Sequence, residues 1–200
     1  MKTLEKSLLL ALVITILLSF TGFAAGCEDI PNHVLRLHVL ANSDSDADQA
    51  LKLKVRDRIV AESAGLFDGA SSRQDAEKIA SENLQKLQDA AQDEVIRDGY
   101  QYPVRVYLTN MYFTTRQYDT VTLPAGTYDA LRVEIGSGAG HNWWCVIFPP
   151  LCLPAAEKRE DLKDVLNPNE LRIVDGSGSY IVRFKTLEAY EQVKAWLERK

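Results

Sequence analysis

The sequence predicts an α+β fold: a single domain whose mainly antiparallel sheet is packed by two helices from the N-terminal half and by a C-terminal helix. Three observations carry the prediction. Between Asp46 and Val95 apolar residues recur about every four positions, the period of helices that bury one face. From Pro103 to Ile135 they alternate instead, which is the period of strands. A chain of 200 residues, 46% hydrophobic and 26% charged, has the composition of a protein with one ordinary core.

The N-terminal segment, residues 1–26, stands apart from the domain over 33–200. Lys2 and Lys6 precede an apolar run from Leu8 to Phe20, and small residues Ala24, Ala25 and Gly26 precede Cys27. The run is short for a bilayer span and suits the core of a secretory signal. Export is therefore expected, by cleavage before Cys27, by lipidation of Cys27, or with the segment kept as an anchor. The formal charge of -5 argues against nucleic acid and against a polybasic membrane surface as partners.

The first strand is Val34 to Leu40, with Leu35, Leu37 and Val39 on one face and Arg36 and His38 on the other. Asn42, Asp44, Asp46 and Asp48 then alternate as oxygen ligands do in calcium loops. The loop lacks the sixth-position glycine and the twelfth-position glutamate of an EF-hand, so helix capping by Ser45 is the preferred reading. Ala47, Leu51, Val55 and Ile59 stripe the helix that follows to Ala64, and Lys52, Lys54, Arg56, Asp57 and Arg58 lie off the stripe on what reads as a solvated face. After a break over 65–70, a second helix starts at Ser71 or Ser72. It carries Ala76, Ala80, Leu84, Leu87, Ala91 and Val95 inward and ends at Gly99.

Strand patterns follow at Pro103 to Thr109, Met111 to Tyr118 and Leu131 to Ile135, with Leu123-Pro124-Ala125-Gly126 fitting a type I turn. Beyond Cys152 a short helix over 155–165 ends before Pro168. A turn at Gly176-Ser177-Gly178, a strand over 180–185 and a helix capped by Thr186 complete the chain. Internal repeats, low-complexity tracts and long linkers are not found.

The most distinctive stretch is Gly136 to Cys152, a Gly/Ser loop leading into Trp143-Trp144, a cysteine, an apolar run, Pro149-Pro150 and a second cysteine. Gly136, Gly138 and Gly140 suit a loop whose backbone bends tightly or approaches something closely. On the strand, Trp144, Val146 and Phe148 face one side and Trp143, Cys145 and Ile147 the other, so neither face is polar. Such a strand is either central in its sheet or half exposed for a partner. The tryptophans serve core packing, an interface, or both.

A reactive centre is not evident. His141 and Cys145 are the natural base and nucleophile, but four residues apart on extended chain they do not meet without a bend, and bulky apolar neighbours raise a thiol pKa. His141, Cys145 and Cys152 lack the paired spacings of a structural zinc site. Neither a P-loop nor a G-x-S-x-G elbow nor a nucleotide glycine fingerprint is present. The expectation is therefore no catalytic residues, no metal and no cofactor. The alternative is a secreted Cys/His-dependent or metal-dependent hydrolase that gathers Asn42, Asp44, His141 and Cys145 into one site. Cys145 and Cys152 also form a candidate disulfide, the pair left if Cys27 is lipidated. Extended chain would hold their Cα atoms roughly 23 Å apart against about 4.4 to 6.8 Å in a disulfide, so the Pro149-Pro150 segment would have to reverse; two buried free thiols are the competing reading.

Three blocks carry a resemblance: R-L-H-V-L-A-N-S-D-S-D-A-D-Q-A-L-K-L-K-V-R-D (Arg36 to Asp57), L-P-A-G-T-Y-D-A-L-R-V-E-I-G (Leu123 to Gly136) and G-H-N-W-W-C-V-I-F-P-P-L-C (Gly140 to Cys152). Together they resemble stage II sporulation protein R of endospore-forming bacteria, from about Leu35 through Cys152. Thr114-Thr115 departs from the proline expected there. The resemblance implies a signalling protein exported from the forespore into the space between the two sporulating cells, secreted or held at the membrane by its N-terminus. It implies a membrane-bound aspartic protease of the mother cell as partner, whose activation leads to processing of pro-sigma-E. The catalytic carboxylates then belong to the partner, and Gly140, His141, Asn142, Trp143 and Trp144 are the candidate contact residues.

Overall fold

The structure, a computed structural model, describes residues 4, 6–12, 14–15, 27–118, 121–149 and 166–174. Cys152, the helix expected over 155–165, the strand over 180–185 and the final helix after Thr186 lie outside the described residues. The rest fall into two compact units, one comprising 31–112 and 127–149 and the other including 113–126 and 166–174.

In the first unit, β1 (Leu35–Leu40) is an interior strand, and all six of its residues are buried. Its neighbours are β5 (Gly126–Ile135), with which it runs parallel, and β6 (Asn142–Phe148), with which it runs antiparallel. With β2 (Val104–Phe113) the order is β2-β5-β1-β6. The sheet is thus mixed, though mainly antiparallel as expected. The Trp-Trp strand β6 is the outermost on its side among the described residues, not flanked by strands on both sides.

Three helices cover one face of the sheet. Where the sequence predicts two helices between Asp46 and Gly99 there are three, because the long second one is broken in two: α1 (Asp46–Ser63), α2 (Arg73–Glu82) and α3 (Leu84–Arg97). The break falls at Asn83, whose φ and ψ of -113° and 10° leave the helical region while its side-chain amide donates to the Ile79 carbonyl at 2.8 Å. Asparagine competes with the helix for backbone partners in this way, and the apolar stripe does not reveal it. Ser45 caps α1 as expected, accepting from Asp48 N at 3.2 Å. Gly99 ends α3 with φ +86°, donating to Ile96 O.

The core lies between this face and the helices: Leu35, Leu37 and Val39 of β1, Leu131, Val133 and Ile135 of β5, and Cys145 and Ile147 of β6 pack on Leu51, Val55, Ile59, Leu87 and Val95. Each fully buried leucine here contributes about 1.5 to 3 kcal/mol. The alternating face of β1 is covered as well: Arg36 and His38 are buried, Arg36 with its guanidinium 4.8 Å from the Tyr128 ring centroid. On β2, Val104 N and Val106 N donate to Gln92 and Gln88 of α3, so helix side chains satisfy strand groups that a neighbouring strand would otherwise pair.

In the second unit, β3 (Arg116–Tyr118) pairs antiparallel with β4 (Val121–Leu123). The Leu123–Gly126 turn joins strands of different sheets rather than a hairpin. A short helix, α4 (Pro168–Val174), starts where the sequence reading placed a stop. Pro168 stands at its first position, where a missing N–H costs nothing, and Asn167 Oδ1 accepts from Asn169 N and Glu170 N.

Candidate functional site

Parallel pairing of β1 with β5 puts their C-terminal ends side by side. The loop after β1 (42–45) and the loop after β5 (136–141) therefore leave the sheet together, and the second turns directly into β6. Their junction is the candidate site.

The glycines do what their spacing suggested. Gly136 and Gly138 have φ of +60° and +63°, a backbone that favours glycine, and bend the loop. Gly140 serves close approach: an added Cβ would fall on the Ser43 carbonyl oxygen, 2.5 Å from the carbonyl carbon. Gly140 N instead donates to Ala41 O at 2.9 Å. Asn42 ties the two loops, accepting from Ser137 N at 3.0 Å and donating to Asp48 Oδ2 at 2.9 Å, while its carbonyl accepts from Ser137 Oγ at 2.6 Å. Asp48 is a buried hub; hydrogen bonds led by that from Ser43 hold its carboxyl below the usual range.

Asp44 Oδ1 accepts from His141 N at 2.6 Å and lies 2.5 Å from His141 Nδ1. The backbone bond, then the imidazole bond, keep the Asp44 carboxyl below its ordinary pKa. Both side chains are exposed, at 77% for His141 and 56% for Asp44. Cys145 is elsewhere: it pairs with Leu37 across the sheet and is buried in the core. Of the four residues in the hydrolase alternative, the fold gathers Asn42, Asp44 and His141 and leaves the proposed nucleophile in an apolar interior.

On β6 the tryptophans differ in surroundings. Trp144 stacks on His38, with ring centroids 4.0 Å apart and planes 3° from parallel. His38 Nε2 donates to Asn142 Oδ1 at 3.1 Å, and burial pushes the imidazole down to about 4. Trp143 packs at the margin of the core under the Arg56 guanidinium, 4.3 Å from its ring centroid. Its indole N–H is buried without a hydrogen-bond partner among the described residues. Neither tryptophan is fully buried or fully exposed.

Cys27 is a free, buried thiol whose pKa is pushed up to about 12, by burial first and by Glu28 second. The described helices include none long and apolar enough to cross a membrane.

The sequence reading missed α1's share in the site. Lys52 and Arg56, assigned to a solvated face, are respectively buried and stacked on Trp143. Gln49, Lys52 and Arg56 are spaced i, i+3, i+7, the spacing of a single helix face. That spacing was the available signal.

The family model for stage II sporulation protein R matches residues 31–158. Stage II sporulation protein R of Bacillus subtilis (strain 168) is 35% identical over 135 residues. That alignment covers 68% of this chain and 60% of the relative's length, less than two thirds of it. No solved structure matches.

Proposed function

Because the chain belongs to the stage II sporulation protein R family, we propose that it acts in sporulation as an exported protein signal, activating a membrane-bound aspartic protease that processes pro-sigma-E in the mother cell. On this reading it passes through the forespore membrane by its N-terminal segment and works in the space between the two cells. It has no turnover of its own, and Gly140, His141, Asn142, Trp143 and Trp144 form part of the contact. A Cys145–Cys152 disulfide secures the chain after β6. Cleavage before Cys27, lipidation there and retention as an anchor are the three forms the exported protein can take.

The observation that supports an activator over a hydrolase is the placement of the best nucleophile. Cys145 packs among apolar residues, whereas the histidine able to deprotonate it is exposed and bonded to Asp44. Held in the disulfide proposed above, Cys145 has no thiol for that histidine to deprotonate. What the loop offers outward is a fixed backbone, a His–Asp pair and half-buried tryptophans, the elements of a binding surface.

The test is pro-sigma-E processing in cells co-producing the chain, the protease and the substrate. Trp143→Ala and Trp144→Ala should abolish processing while each variant stays folded by circular dichroism. Full processing by both folded variants would refute β6 as the contact.

A further inference from the structure

We propose that Lys52 is the positioning residue of the contact loop, fixing the His141 backbone from inside the protein so that residues 136–141 and the start of β6 meet the partner preformed. The inference rests on the reading of β6 as the contact surface.

Lys52 lies on α1 and is only 5% exposed. An ammonium is costly to bury, and the charge of the nearby Asp44 carboxylate offsets only part of that cost. Lys52 Nζ donates to Gln49 Oε1 at 2.6 Å and to the His141 carbonyl at 3.0 Å, both neutral oxygens. If stability were the whole purpose, an apolar side chain of similar volume would serve as well. The second acceptor gives the burial a definite result, because it is the carbonyl of the last residue before β6.

Gln49 extends the hold to the other loop, with Nε2 donating to Ser43 O at 2.9 Å. The backbone of Gly140 and His141 is thus held at three points: Gly140 N to Ala41 O, His141 N to Asp44, and His141 O to Lys52. Trp143 follows two residues later. A surface ordered before binding avoids the conformational cost of being ordered on binding. Lys52 therefore acts on affinity through the loop, without touching the partner.

The test is Lys52→Met in the full-length chain, which keeps the stem and removes the donors. Amide hydrogen exchange should quicken at Gly140 and His141 while the urea midpoint stays near that of the parent. With the chain under graded induction, the level giving half-maximal pro-sigma-E processing should rise about tenfold, with the maximum unchanged. A purely structural role would lower the midpoint and the amount of folded protein without moving the half-maximal level of folded chain. Unchanged loop exchange, or faster exchange with an unchanged half-maximal level, overturns the proposal. If Trp143→Ala abolishes processing while Lys52→Met leaves it intact, the positioning role alone falls; if neither has an effect, the contact reading falls with it. Should Lys52→Met not fold, Gln49→Leu removes the companion acceptor and the Ser43 link, and the same two readouts decide.

Discussion

Gly140→Ala tests the loop junction at its tightest point. The added Cβ would fall on the Ser43 carbonyl oxygen and lie 3.0 Å from Ala41 Cβ. The first obstacle is backbone, so no side-chain rotation relieves it. The 136–141 loop must lift away, losing the Gly140 N to Ala41 O bond. Overpacking of this kind costs about 1 to 3 kcal/mol, and the lost hydrogen bond about 1 more. The expected destabilisation is therefore about 2 to 4 kcal/mol, a large share of the roughly 5 to 15 kcal/mol that a domain has. Gly69→Ala is the control, since a Cβ there meets nothing within 4 Å, and it should move stability by no more than about 0.5 kcal/mol. Urea unfolding of the two variants, followed by circular dichroism at pH 7, measures the difference. A Gly140→Ala midpoint equal to that of Gly69→Ala would refute the close approach.

Three further outcomes are expected. His38, pushed down to about 4 from 6.5, is protonated first in the unfolded chain, so its contribution is present above pH 6.5 and lost as pH falls through 4. The loss should be no more than about 3 kcal/mol, less what solvent screening removes, and His38→Gln should flatten the stability profile between those pH values. Non-reducing peptide mapping of exported protein should find the Cys145 and Cys152 peptides linked, and reduction should cost about 2.5 kcal/mol or less; free alkylation of both thiols in unreduced material would exclude the bond. Intact mass from sporulating cells should show loss of about the first 26 residues, with or without lipid at Cys27, and recovery of full-length chain alone would exclude cleavage.

Local features were legible because they follow from short-range chemistry. The Ser45 cap needs only a hydroxyl and a free helix N–H, and Gly99 needs only a positive φ. What the sequence hid is long-range. Alternation in β1 could not reveal that Arg36 and His38 would be covered, because burial of a polar face depends on what packs over it. The period of the 73–97 region is unbroken in apolar residues, so Asn83 passed unnoticed within it. Pro168 reads as either stop or start, and only Asn167, one residue earlier with capping geometry, selects the start.

The parallel pairing of β1 and β5 is the step on which the site depends. In chain order, β5 runs through the glycine loop into β6, which suggests strands that are neighbours. Instead β1 lies between them, parallel to one and antiparallel to the other. The glycine loop must therefore cross the end of β1, where the polypeptide leaves β1 through Ala41 to Ser43. That crossing explains why Gly140 has no room for a side chain at Ser43 and why Gly136 has none at Asn42. It also explains why the His141 N–H finds Asp44 and the His141 carbonyl finds Lys52 on the helix that follows. Asn42, Asp44, Lys52 and His141 come together because the chain passes one strand end twice.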